Sequence, residues 1–215
     1  SILCSKVGVP DNIICDGAKE QILGDFRRKC RETSCHVKQL EPYTPWANAA
    51  EGTIRELKKG SGRKMVKTKS PKVLWDDCLE YEAVLRSHTA LDIYGLQGEV
   101  PETVVTGQTA DISALAEFTW YQWVLYYDEN ASYPDDKQKL ARWLGPSFEV
   151  GSALCAKLLK ANGEYAFRTT YRGLTTDEMN DPDRMKEMEK FDEVVIEKLG
   201  ELADSKDFTE ELDIE

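Results

Sequence analysis

FTWYQWVLYY, residues 118–127, is the densest aromatic and β-branched run in the 215-residue chain. Both of its alternating faces are apolar, which predicts a strand covered on both sides. Its six aromatics, Phe118, Trp120, Tyr121, Trp123, Tyr126 and Tyr127, are read as core, with stacking of nucleic-acid bases as the rival use. Downstream, 140–175 carries the signals of a small β module. Strands are expected over 148–153 and 154–161, and Asn162-Gly163 reads as a two-residue hairpin turn in which both residues need positive φ. Over 164–172, Tyr165, Phe167 and Thr169 alternate onto one face.

Upstream the pattern changes from all-β to α/β. Asn12-Ile13-Ile14-Cys15 is a short apolar strand ending at Asp16-Gly17. Ile22, Leu23, Phe26 and Cys30 recur at helical spacing over 18–31, and a second strand over 36–40 stops at Pro42. Thr44-Pro45 then caps a helix expected over 46–59 and closed by Gly60 and Gly62. GSGRKMVKTK, 60–69, reads as a glycine- and lysine-rich connection. Ser70-Pro71 opens another helix, to about His88, with Leu74, Cys78, Tyr81 and Leu85 on one face and His88 as a local cap. Residues 95–111, with Gly98, Pro101 and Gly107, look irregular. The division expected is an α/β unit over 1–94, a connector over 95–117, the β module over 118–175 and an acidic segment over 176–215.

Composition bounds the function classes. The chain is 41% hydrophobic and 31% charged, which suits a globular protein with a real core. It has no apolar run long enough to cross a bilayer and no secretory signal pattern at the start, so no membrane partner is expected. Six cysteines without framework spacing read as reduced thiols, hence nucleus or cytoplasm. Adjacent Cys35 and His36 cannot both face one metal from a strand, so no zinc site is expected. The net charge of −11 hides an asymmetry: 52–72 carries 8 bases and 1 acid, while 176–215 carries 16 acids and 5 bases. A protein that meets a polyanion on one face would look like this, and so would a solvated charged loop. Arg55, Lys58, Lys59, Arg63, Lys64, Lys67, Lys69 and Lys72 are the candidate phosphate contacts. Arg142, Lys157, Lys160, Arg168 and Arg172 add a modest positive surface to the β module.

Two acids stand out by placement: Asp16 at the carboxyl end of the first strand and Glu51 in the capped helix, with 34 residues between them. A compact packing could bring both carboxylates to one end of a sheet, where hard divalent cations are held by oxygen. Two such ions clamp the attacking and leaving oxygens of a phosphodiester. On spacing alone the plainer reading is favoured, with Asp16 as a turn or helix-cap aspartate and Glu51 in a surface ion pair with Arg55.

CDGAKEQ (15–21) followed by PYTPWANAAEGTIRELKKG (42–60) resembles the second half of the catalytic core of a retrotransposon integrase of the DDE recombinase type, copia-type elements above all. The similarity continues through the Trp75 helix, GEVPETVVTGQTADISAL (98–115) and RWLGPSFEVG (142–151). The resemblance implies an α/β, RNase H-like core, partial here, followed by a small barrel-like C-terminal module. It implies Asp16 and Glu51 as the second and third catalytic acids and as ligands of Mg2+. It also implies DNA contacted through its backbone, other parts of a polyprotein as partners, and a homo-oligomer as an open alternative. The family's first acid lies well upstream of the second, whereas only fifteen residues precede Asp16 and Asp11 is too close to serve. Catalysis by these residues alone is therefore not expected, and a non-catalytic nucleic-acid-binding module is the alternative function. The segment 176–215 is expected to be one exposed helix, about 185–202, and a disordered spacer that can be removed without loss of fold and that competes with DNA for the basic segment.

Overall fold

The computed structural model describes residues 8–15, 24–41, 49–93, 95–129, 131, 134, 136–147, 150 and 154–208. The N-terminal part is a parallel strand pair, β1 (Asn12–Cys15) and β2 (His36–Gln39), joined through helix α1 (Asp25–Glu32). Of the helix expected over 18–31, the part up to residue 23 lies outside the described residues; Cys30 is the buried residue of α1. The chain is mixed α/β, but among the described residues the parallel pair is not extended into a larger RNase H-like sheet.

Helix α2 (Ala49–Thr68) overturns the expected stop at Gly60 and Gly62 and turns the expected basic connection into helix. The cost of glycine in a helix is about 1 kcal/mol each. Here close packing offsets it: a Cβ at Gly60 would collide with the Glu82 carboxylate, and one at Gly62 would come within 3.0 Å of the Phe208 ring. Ser70-Pro71 is followed by a single 3-10 turn, Lys72–Leu74, which leads into α3 (Trp75–Ser87). Leu74, Cys78 and Tyr81 are buried and Leu85 is half-buried. The His88 ring lies 2.9 Å from the Val84 carbonyl at the helix end. The connector holds two short helices, α4 (Pro101–Thr106) and α5 (Ser113–Ala116).

The β module is a five-stranded antiparallel sheet: β3 (Trp123–Tyr127), β4 (Gln138–Pro146), β5 (Ala156–Lys160), β6 (Tyr165–Arg168) and β7 (Tyr171–Gly173), in the order β6-β5-β4-β3-β7. Its edge strands β6 and β7 do not pair with each other, so the barrel-like closure expected from the sequence is an open sheet among the described residues. β3 is covered on both sides as expected, with Trp123, Val124, Leu125 and Tyr126 buried. The strand is shorter than the run that announces it, since Phe118, Trp120 and Tyr121 are buried ahead of it. Five of the six aromatics are therefore core, and Tyr127 is exposed. Trp123 lies opposite Arg142 in the β3–β4 register, while Trp143, one residue on, turns to the other face and meets Tyr81 of α3 edge-on at 5.6 Å. The β5–β6 hairpin turns at Asn162-Gly163, but only Gly163 has positive φ, at 81°. The bond from Gly163 N–H to the Lys160 carbonyl makes this a longer turn with a left-handed final residue, not the expected two-residue one. The strand expected over 148–153 lies outside the described residues except at Val150, which is a bend.

The acidic segment departs most from expectation. α6 (Thr176–Asn180) begins with a capping box between Thr175 and Glu178, and α7 (Pro182–Leu199) starts on the Asp181 side chain. α7 is docked, not exposed: Phe191 and Val195, four residues apart, are buried, and Phe191 packs edge-on to Trp123 with ring centroids 5.0 Å apart. Asp192 accepts two hydrogen bonds from Arg142, at 2.7 and 2.9 Å, while the Arg142 guanidinium lies 3.3 Å above the Trp123 ring. Beyond α7 the chain returns to the first helices. Lys72 N–H donates to the Glu201 carbonyl and Ala203 N–H to the Ser70 carbonyl, both at 2.9 Å. No helix among the described residues is long and apolar enough to cross a membrane.

Candidate functional site

The eight candidate cations separate into those the fold uses and those it leaves outward. Lys64 pairs with Glu82 of α3, whose side chain is 7% exposed. Lys72 lies between Glu201 at 3.0 Å and Asp207 at 2.8 Å, and the bonds to Asp207 and then Glu201 raise its pKa. These two lysines hold the C-terminal segment and the α2–α3 contact together, so they are not open phosphate contacts. Lys59 makes a looser pair with Glu56 at 3.5 Å on its own helix. Arg55, Lys58, Arg63, Lys67 and Lys69 are exposed. Among the described residues, Arg55, Arg63, Lys67 and Lys69 make no ion pair.

The packing of α2 on α3 explains this division. Cys78 reaches the Ser61 carbonyl from its Sγ at 3.5 Å, and burial pushes its thiol pKa up to about 12, so it is an inert core thiol at neutral pH. Four residues on from Cys78 is Glu82, and four further is Arg86 in the last turn of α3. Arg86 thus reaches the same side as Lys59, Arg63, Lys64 and Lys67, and with Glu56, Gly60 and Glu82 these residues line a groove of about 300 Å3. Sequence reasoning missed Arg86, although its spacing from Cys78 and Glu82 marks it as facing α2.

Only one member of the expected acid pair falls among the described residues. Asp16 lies outside them, and Glu51 stands exposed in the first turn of α2. No group of three or more His, Cys, Asp and Glu residues among the described ones is placed to hold a metal ion. The described cysteines, Cys15, Cys30, Cys35, Cys78 and Cys155, are free thiols. The positive surface expected on the β module is largely consumed internally. Arg142 is held by Asp192 and Lys157 by Asp77, while Lys160 pairs with Glu164 and Arg172 with Glu178.

No family model matches the sequence, and no curated protein matches it. Among solved structures the chain is similar to one in the cryoEM structure of the simian T-cell lymphotropic virus intasome in complex with the PP2A regulatory subunit B56 gamma. The identity is 11% and the TM-score 0.39, over 81% of this chain and 62% of that one. The chain therefore spans about three fifths of the length of that neighbour.

Proposed function

We propose that this chain is an integrase-derived segment, of copia type, that binds the backbone of DNA without reading its sequence. The observation that carries the reading is the set of outward cations on and just beyond α2, Arg55, Arg63, Lys67 and Lys69, which no acidic side chain neutralises among the described residues. Cations that make no internal pair are free to displace the counterions of a polyphosphate, which is the main source of sequence-independent affinity. The CDGAKEQ and PYTPWANAAEGTIRELKKG resemblance supplies the family. In that reading Asp16 and Glu51 are the carboxylates that would hold Mg2+, whose chemistry is to stabilise charge on the attacking and leaving oxygens. For residues 1–215 alone the activity proposed is binding without turnover. Partner segments of a polyprotein, or a second copy of this chain, would complete the machinery.

Fluorescence anisotropy with labelled duplexes of unrelated sequence at low salt tests the reading. Similar affinities across sequences, with no cleavage or strand transfer of an end-labelled duplex in Mg2+, are expected. Turnover that disappears in Glu51→Gln would replace the binding module by an enzyme, and absence of binding at low salt would remove the reading altogether.

A further inference from the structure

We propose that the groove between α2 and α3 seats the phosphate backbone of one nucleic-acid strand, with Arg63 and Lys67 of α2 and Arg86 of α3 as the phosphate-binding side chains. This rests on the nucleic-acid reading above and names its seat. The groove brings five cations and two acids together, and both acids are already engaged, Glu82 by Lys64 and Glu56 by Lys59. What remains is Arg63, Lys67 and Arg86, none of which has an acidic partner among the described residues. Gly60 contributes by what it lacks, because a side chain there would displace the Glu82 carboxylate that neutralises Lys64.

The arrangement has a cost that the fold does not recover. Arg63 and Lys67 are like charges one helical turn apart, a spacing that destabilises a helix, and Arg86 adds a third positive charge from the facing wall. The dipole of α3 favours a cation in its last turn and so accounts for Arg86 taken alone. It does not account for the pair on α2. A bound polyanion relieves all three repulsions together.

Spacing favours a phosphate chain over an acidic peptide. Lys59, Arg63 and Lys67 follow one another at intervals of four residues, a rise of about 6 Å per step, close to the separation of successive phosphates along one strand. Two of the three unpaired cations are arginines, whose planar fork meets two phosphate oxygens at once. Carboxylates on a peptide sit on flexible stems without a fixed repeat, so they match this row less well.

The test uses the full chain and a short labelled oligonucleotide, single-stranded and duplex, across a range of salt concentrations, with thermal unfolding as the check on folding. Arg86→Gln is expected to weaken low-salt binding about three- to tenfold and to make the slope of log K against log salt shallower by about 1. Arg63→Gln with Lys67→Gln should remove about 2 from the slope. Arg86→Lys should restore the slope while binding more weakly than wild type. Arg55→Gln with Lys69→Gln, outside the groove lining, should matter less than the groove pair. If Arg86→Gln binds like wild type while Arg55→Gln with Lys69→Gln carries the loss, the groove is wrong and the nucleic-acid reading stands. No binding by wild type at low salt overturns both. A poly-glutamate peptide competing as well as an oligonucleotide of equal charge overturns the phosphate assignment in favour of an acidic protein partner.

Discussion

Helices α2 and α7 carry the largest numbers of charged side chains of the described elements, eight and ten, and the fold treats them in opposite ways. The net-acidic α7 is bound to the sheet by Phe191, Val195 and the Arg142–Asp192 pair. The basic α2 is fastened mainly through its second half, at Ser61, Gly62, Lys64 and Met65, while residues 49–56 are exposed throughout. Net charge therefore does not say whether an element docks. Two apolar side chains at helical spacing and one two-pronged ion pair outweigh a surplus of acids. On α2, what separates a fastening cation from an outward one is whether a buried carboxylate faces it.

Removing the anchor of α7 is the strongest way to break this contrast. Phe191→Ala should destabilise the chain by about 3–4 kcal/mol, lowering Tm by roughly 10 °C for a chain of this size. Truncation after Thr175 should be worse, because it also exposes Trp123 and strips Lys72 of both its carboxylates. A truncated chain that melts like the full one would return the segment to the status of a removable spacer.

A smaller effect separates neighbours on α2. Lys64→Ala leaves Glu82 buried without its cation and should cost about 2–3 kcal/mol in urea unfolding, whereas Lys67→Ala should change stability by less than about 0.5 kcal/mol. Equal losses at the two positions would show that the division between fastening and outward cations is false.

The smallest effect is a pH dependence at the start of the acidic segment. The Arg172 guanidinium, together with the backbone at Thr175, lowers the Glu178 pKa from 4.5 to about 2. The folded carboxyl is thus the stronger acid, so its contribution to stability is complete above the unfolded pKa and is lost as pH falls from about 4.5 toward 2. Acid unfolding of Glu178→Gln should lack this part of the pH dependence. Superimposable curves for variant and wild type would show that the pair contributes nothing.

How far each element could be read from sequence follows from how locally it is determined. The β3 strand, the start at Ser70-Pro71 and the turn at Asn162-Gly163 rest on residues next to one another, and they are found where the pattern puts them. The passage of α2 through Gly60 and Gly62 depends on Glu82 and Phe208, which are remote in sequence. Strand β4 was hidden because Arg142 interrupts its apolar pattern, and that charge is acceptable only under Trp123 and Asp192. α7 looks solvated in the sequence because its acids outnumber the two residues that bury it. At the candidate site the basic run was legible on α2, but which lysines were already taken depended on α3 and on the C-terminal segment. Arg86 is not visible as part of the basic group in the sequence, because it lies in an acidic stretch and joins that group only through folding.

The central claim, that α2 keeps a small group of cations for an external polyanion while the others fasten the fold, is tested most directly by the salt dependence of duplex DNA binding. If Arg63, Lys67 and Arg86 are the contacts, log K should fall against log salt with a slope of about −2.7. A slope near −7 would mean that all eight cations expected from the sequence reach phosphate, Lys64 and Lys72 included, and a slope near zero would mean that the basic helix does not meet DNA at all. Either result would contradict the account.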